Sequence, residues 1–273
     1  MLDRIQSFYG FTRMPFGRDL AAGMLHRHDD HAQATARIAY GIDTRGITVI
    51  TGEVGVGKTV AARAALERVD RARHHLIYIP DPTVGARGLY HHIVTALGGK
   101  PTFHTAALIP QARNALAAEA SERGRTPILL IDEAHIFDHN GLDAIRLLTN
   151  HDLDTGAPFA TILLGQPDLA QKIRYGILAA FDQRITVRHH MTGMTADETA
   201  GYIRHHLNLA GRNDPLFGED AITLIHANSR GKPRAVNNLC LAALLAARVN
   251  EKTIVDEASA RTAITETSDH ATL

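Results

Sequence analysis

The chain has 273 residues, 45% of them hydrophobic, enough to bury a full core in one large or two unequal domains. Its 29 basic and 29 acidic side chains cancel while the 17 histidines are neutral, which excludes a bulk polycation and confines any nucleic-acid surface to a local patch. The one cysteine, Cys240, excludes an internal disulfide and a cysteine-cluster metal site. Set in Leu239-Cys-Leu-Ala-Ala-Leu-Leu, it reads as a buried structural thiol. The N-terminus lacks the apolar core of a signal peptide, and no apolar run approaches the ~18 residues that cross a bilayer. The expectation is a cytoplasmic chain with no membrane partner.

Residues 8–16 concentrate Phe8, Tyr9, Phe11 and Phe16 in a chain that is only 5% aromatic. Gly10 and Pro15 make regular helix across this stretch unfavourable, so it should be an ordered segment packed on a larger body. There it either walls an adenine pocket or anchors the N-terminus. Asp29 or Asp30 then caps a helix to Ile42, with Ala34, Ile38 and Ile42 inward. His26, His28 and His31 resemble a metal cluster superficially. In so histidine-rich a chain they read as solvated, as do His74-His75, His91-His92, His189-His190 and His205-His206.

Ile47 to Ile50 is a short β-branched run that reads as a buried strand. Gly52-Glu53-Val54-Gly55-Val56-Gly57-Lys58-Thr59 follows and fits G-x-x-x-x-G-K-[ST] at every fixed position, and Val60 to Val69 reads as helix. Strand, glycine loop and helix in that order are the context that confirms a phosphate loop. Gly52, Gly55 and Gly57 permit positive φ, turning backbone N–H groups onto phosphates. The helix adds its unpaired amides and dipole. Lys58 supplies a cation for the β- and γ-phosphates, and the Thr59 hydroxyl is a magnesium ligand. Residues 52–60 are therefore expected to bind a nucleoside triphosphate with Mg2+.

Further strands are expected at His75–Pro80, at Pro127 onward to Asp132-Glu133, at Phe159–Gly165 and at Ile185–His189. Helices fall between them: Ala86–Leu97, Pro110 to about Arg123 with the proline in its first turn, and Asn140–Thr149. Strands alternating with helices imply an α/β fold with a parallel sheet covered on both faces. After Thr195 the pattern is helical throughout. Thr195-Ala-Asp-Glu198 is a capping box for a helix to Leu209. Asp220–Asn228 follows, then a long helix opened by Pro233 and running to about Val249, and a short helix capped by Asp256. The chain thus divides into an N-terminal segment and helix packed on the core (1–45), an ATPase core (46–192), a helical lid (193–266) and a frayed tail (267–273).

Ile128-Leu-Leu-Ile-Asp132-Glu133 places two acids at the carboxyl end of a central strand, where open α/β sheets bind ligands. Asp132 holds magnesium directly or through water, and Glu133 is positioned in sequence to polarise the attacking water as general base. Gln166, after the Phe159–Gly165 strand, either reaches the γ-phosphate and its water or is a surface amide. Arg184, before the last strand, is either a finger projected into a neighbour's nucleotide or a surface arginine. Arg234, in Gly231-Lys-Pro-Arg, either folds over the γ-phosphate or is an exposed first-turn residue.

Together, the phosphate loop, Leu-Leu-Ile-Asp-Glu-Ala-His, Leu-Leu-Gly-Gln-Pro-Asp-Leu, Gln-Arg-Ile-Thr-Val-Arg, Gly-Lys-Pro-Arg-Ala-Val-Asn and the opening Phe-Tyr-Gly-Phe resemble the ExeA-like AAA+ ATPases. The resemblance covers residues 8 to about 265. It implies a five-stranded sheet of order 5-1-4-3-2 followed by a helical lid. It also implies Walker A at Lys58 and Thr59, Walker B at Asp132 and Glu133, sensor 1 at Gln166, the finger at Arg184 and sensor 2 at Arg234. Glutamine departs from the asparagine or threonine commoner at sensor 1. One branch, the secretion-pathway proteins, continues into a membrane span and a cell-wall module. The other, similar to TnsC, TniB and MuB, assembles on DNA with ATP and directs a transposase. Because the chain ends just after the lid, the expectation is an oligomeric ATPase, ring or helical filament, that binds double-stranded DNA and regulates a transposase. A secretion ATPase and a nucleotide-switch scaffold with only protein partners are the alternatives. Arg87, Lys100, Arg113, Arg123, Arg125, Lys172 and Arg174 are the scattered basic residues available for a DNA patch.

Overall fold

The computed structural model describes residues 2–17, 20–149 and 157–269. The chain forms two compact units, one of Met1–Asp30, Gly55–Gly57 and Thr192–Leu273, the other of His31–Val54 and Lys58–Met191. The second unit is α/β. Its elements in chain order are α2 (Asp29–Asp43), β1 (Ile47–Gly52), α3 (Lys58–Leu66), β2 (His74–Ile79), α4 (Gly85–Ala96), α5 (Thr105–Ser121), β3 (Thr126–Ile131), α6 (His139–Thr149), β4 (Ala160–Gly165), α7 (Pro167–Ile173), α8 (Ala179–Asp182) and β5 (Ile185–Met191). The helix preceding them, α1 (Leu2–Tyr9), lies in the other unit.

All strand pairs are parallel, in the order β2-β3-β4-β1-β5, as the alternation of strands and helices requires. The three inner strands are apolar runs because both faces are covered: every residue of β1 and β4 is buried. Alternate residues Val49, Ile77, Ile79, Leu129, Ile131 and Leu163 join one core with the apolar stripes of α4 to α8. On the opposite face α2 approaches so closely that a Cβ on Gly41 would lie 1.8 Å from Thr48 Oγ1. The edge strands alternate instead; β2 leaves Leu76 and Tyr78 exposed while Ile77 and Ile79 are buried.

The other unit is helical, with α1 joined by α9 (Ala196–Leu209), α10 (Glu219–Ser229), α11 (Pro233–Val249) and α12 (Glu257–Asp269). The capping box is formed: Glu198 N–H donates to Thr195 Oγ1 at 3.3 Å and Thr195 N–H to Glu198 Oε2 at 2.8 Å. Pro233 opens α11 at a position where its missing N–H costs no helical bond. Cys240 is fully buried in the core of this unit.

The aromatic segment belongs to this helical core. Tyr9, Phe11 and Phe16 are buried with Ile203, Leu207 and Phe217, and the Tyr9 hydroxyl donates to the Leu244 carbonyl at 3.0 Å. Its ring faces are used in packing, so the anchor, not an adenine wall, accounts for these residues. Phe8 and Tyr9 close α1, which Gly10 at φ +68° terminates. Residues up to Asp30 belong to the helical unit and those from His31 to the α/β unit.

Other boundaries move too. α5 begins at Thr105, five residues before Pro110, so the proline sits inside the helix rather than in its first turn. Pro110 is exposed, and Leu108, Ala112 and Leu116 bury the opposite side, so packing of that stripe outweighs the lost hydrogen bond. β3 ends at Ile131, and Asp132 and Glu133 form the turn that follows. α12 continues through 267–269, within the stretch expected to fray. The histidines are not uniformly solvated: His28, His31 and His206 are buried. Among the described residues no helix is long and apolar enough to cross a membrane.

Candidate functional site

The carboxyl ends of β1, β3 and β4 assemble the site. β1 delivers the loop, in which Gly55 (φ +86°) and Gly57 (φ +102°) adopt backbone geometry that side chains resist. α3 starts at Lys58, with Thr59 and Val60 in its first turn. Lys58 is buried, and its Nζ donates to the carbonyls of Gly52 at 2.7 Å and Glu53 at 3.0 Å. The ammonium thus rests on the loop's own backbone. The loop tip Gly55–Gly57 groups with the helical unit. There the Arg234 N–H donates to Gly55 O at 3.3 Å, and a Cβ on Gly55 would lie 3.0 Å from Arg234 Cβ.

Asp132 is buried at the end of β3. Its Oδ2 accepts from Thr59 Oγ1 at 2.9 Å and its Oδ1 from the Glu133 N–H at 2.9 Å. A hydroxyl and a carboxylate held together in this way are a hard-oxygen donor set suited to Mg2+. Glu133 occupies the left-handed region (φ +49°, ψ +34°), unusual for a side-chain-bearing residue, and opens a 3-10 turn over Ala134–Ile136. Its carboxylate is about half exposed at 46%, and its Oε2 lies 3.3 Å from Nδ1 of the mostly buried His135. Burial, then the charges of Asp132 and Glu133, push the Tyr78 phenol up.

Gln166 follows Gly165, which pairs in register with Thr51, so it stands beside the start of the phosphate loop. It is the N-cap of α7 and half-buried. Lys58, Thr59, Asp132, Glu133 and Gln166 are therefore gathered at one edge of the sheet. Arg184 is not among them. It precedes Ile185, which pairs with Ile47 at the amino end of β1, and its Nη1 donates to Thr149 Oγ1 at 2.9 Å. Within one chain it lies at the opposite edge of the sheet.

A cavity of about 720 Å³ opens beside Thr59, between α3 and the exposed side of the edge strand β2, lined by Leu76 and Tyr78 of β2 and by Ile128 and Leu130 of β3. Lys58, Asp132 and Glu133 do not line it. Two residues lie near the acids without having been assigned a role there from sequence, His135 and Lys172. Lys172 Nζ donates to the carbonyls of His135 and Phe137, the latter at 2.7 Å. The one available signal for His135 was its place in Asp-Glu-Ala-His.

Several of the scattered basic residues have partners within the chain, although the Arg123 side chain stays 57% exposed and Lys100 and Arg174 are exposed as well. The buried Glu119 carboxylate pairs with Arg123 at 2.7 Å, Arg125 at 2.6 Å and His75 at 2.9 Å. Arg113 donates to Leu147 O and Arg87 to Phe103 O. Among the described residues, no group of three or more His, Cys, Asp or Glu is placed to hold a metal ion.

Residues 42–173 match the family model of an AAA domain. The chain carries an AAA domain. The parallel 2-3-4-1-5 sheet with its phosphate loop after β1 is the AAA P-loop NTPase fold. Among curated proteins, the general secretion pathway protein A of Aeromonas hydrophila is 32% identical over 243 residues. That match takes in 88% of this chain but 44% of the secretion protein, so the chain spans less than half of that relative's length. The Aeropyrum pernix ORC2 protein in ADPNP–ADP complexes superposes with a TM-score of 0.68 at 16% identity, covering 92% of this chain and 71% of that one. The A. pernix ORC1 protein in complex with DNA gives 0.66 at 15% identity, covering 92% and 68%. At such identity these two share the AAA fold and nothing finer.

Proposed function

We propose that this AAA domain is a Mg2+-dependent ATPase that couples ATP turnover to the state of an assembly. The observation that carries the reading is the Thr59–Asp132 pair at 2.9 Å, with Glu133 next in sequence and Lys58 one residue before Thr59. Lys58 exchanges the Gly52 and Glu53 carbonyls for β- and γ-phosphate oxygens, and the first amides of α3 complete the cradle. Thr59 and Asp132 hold Mg2+, which when bound neutralises charge on the β- and γ-phosphates. Glu133 takes a proton from the water that attacks the γ-phosphorus, and the bond to ADP breaks. Gln166 orients that water, and Arg234 acts on phosphates held at the loop tip. Arg184 serves a neighbouring subunit.

Phosphate release with and without Mg2+ tests the reading. Turnover should need Mg2+, and Glu133→Gln should lower it by about 10²–10⁴-fold while leaving binding of a fluorescent ATP analogue intact. Lys58→Ala should weaken that binding by at least about tenfold, the loss of a charge-assisted contact. Wild-type turnover in Glu133→Gln would falsify the assignment of the base.

For the partner, the 32% identity to the general secretion pathway protein A favours a protein of a secretion pathway. DNA binding is the second reading, suggested by a DNA complex of a protein with this fold; a transposase partner and a ring or filament rest on the sequence resemblance alone. Anisotropy of labelled duplex at low salt, with saturating non-hydrolysable analogue, separates the two. Cooperative, nucleotide-dependent and salt-sensitive binding selects DNA. No binding at confirmed nucleotide occupancy selects the protein partner.

A further inference from the structure

Glu133 is the acid read above as the base, yet its backbone sits where a non-glycine residue is strained. Such a conformation persists only where its surroundings over-determine it. Three backbone N–H groups contribute: Glu133 donates to the Asp132 side-chain Oδ1 at 2.9 Å, Ile136 to Glu133 O at 2.9 Å, and Phe137 to Ala134 O at 3.3 Å. The far end of the turn is held by Lys172 from α7. Its ammonium donates to His135 O and Phe137 O, two carbonyls that the short 3-10 turn leaves without helical partners. Neither acceptor is a carboxylate, so this cation is committed to backbone. α7 itself is fixed by the fully buried Leu169 and Ile173. The turn also packs against Gly165, where a Cβ would come within 3.3 Å of the His135 nitrogen.

We propose that Lys172 is a positioning residue for ATP hydrolysis: by holding the His135 and Phe137 carbonyls it sets the turn that presents the Glu133 carboxylate. This rests on the ATPase reading above. α7 opens at Gln166, so its seven residues tie the end of β4 to the turn bearing the base. With its ammonium on the His135 and Phe137 carbonyls, Lys172 acts through the turn. Its loss should leave ATP bound and the base misaimed.

The test uses the full chain with Lys172→Met, which keeps the apolar stem and removes the ammonium, and Lys172→Arg, which keeps a cation able to reach carbonyls. Lys172→Met should lower kcat by about ten- to a hundredfold, the cost of a small misplacement of a catalytic group. KM and the affinity for a fluorescent ATP analogue should stay within about twofold, because the lost interaction serves the transition state. Lys172→Arg should recover most of the lost kcat. If Lys172→Met fails to fold, the same split is read on Lys172→Gln, which keeps a donor without charge. A kcat close to wild type in the folded variant overturns the proposal, as does a KM that rises in step with the fall in kcat. Those outcomes are distinct from failure of the ATPase reading, in which the wild type shows no Mg2+-dependent turnover or Glu133→Gln turns over normally; that result removes both.

Discussion

His206 shows how one residue type takes opposite roles according to its surroundings. Its ring stacks on Phe16 at 5.2 Å and 18° inside the helical core, and it is 3% exposed. Burial first, then the charges of His205, His26 and Arg13, push its imidazole down to about 4. The unfolded chain takes up this proton near pH 6.5, whereas the folded chain accepts it only near pH 4. Protonation therefore favours unfolding across that window, and stability climbs as pH rises through it. The contribution amounts to about 2–3 kcal/mol between pH 7 and about pH 4.5. His206→Phe keeps the ring and removes the titration. Urea unfolding at both pH values should show the wild type losing that much more stability than the variant; equal losses would exclude His206 as the source. Burial likewise lowers His26 and His28, so both chains retain a residual acid sensitivity.

Among the elements, the α10–α11 turn explains why Gly-Lys-Pro-Arg reads as it does. Gly231 takes φ +65°, and a Cβ there would lie 2.0 Å from Met194 O. Its own carbonyl accepts from the Met194 N–H at 2.9 Å. Backbone packed against backbone leaves no room for a methyl group, and neither partner is a flexible side chain. Gly231→Ala should cost more than about 2 kcal/mol, since the strain of the left-handed backbone and the clash add. A melting temperature unchanged from wild type would show that the turn relaxes freely. Pro233 and Arg234 follow this turn, so a disturbed Gly231 should also weaken analogue binding if Arg234 acts on the nucleotide.

The whole molecule enters through Arg184, at the amino edge of the sheet and remote from Lys58 and Glu133 in its own chain. An arginine so placed serves catalysis only by reaching another subunit's site. Arg184→Ala should bind ATP normally and hydrolyse it at least about tenfold more slowly. Mixed with Glu133→Gln, it should regain part of the activity, because some interfaces then pair an intact Glu133 with an intact Arg184. A mixture no more active than its components would remove the finger in trans.

Local chemistry was legible in the residues. Ile47–Ile50 with the glycine loop, the alternation of strands and helices, Thr195 with Glu198, and Pro233 each declare their structure through interactions a few residues apart. Parallel pairing and the gathering of Lys58, Asp132 and Gln166 follow from that alternation, because ligand-bearing residues fall at the carboxyl ends of inner strands. The pairings across large sequence separations were not legible. Tyr9 reaches Leu244 across 235 positions, and Lys172 reaches His135 across 37. No local pattern marks either end of such a contact. A histidine, an arginine or a lysine looks the same whether solvated, stacked or spent on a buried carbonyl. Only the tertiary structure decided that His206 is core, that Arg123 and Arg125 neutralise Glu119, and that Lys172 holds the turn of Glu133, because burial and hydrogen-bond partners are properties of neighbours brought together by folding.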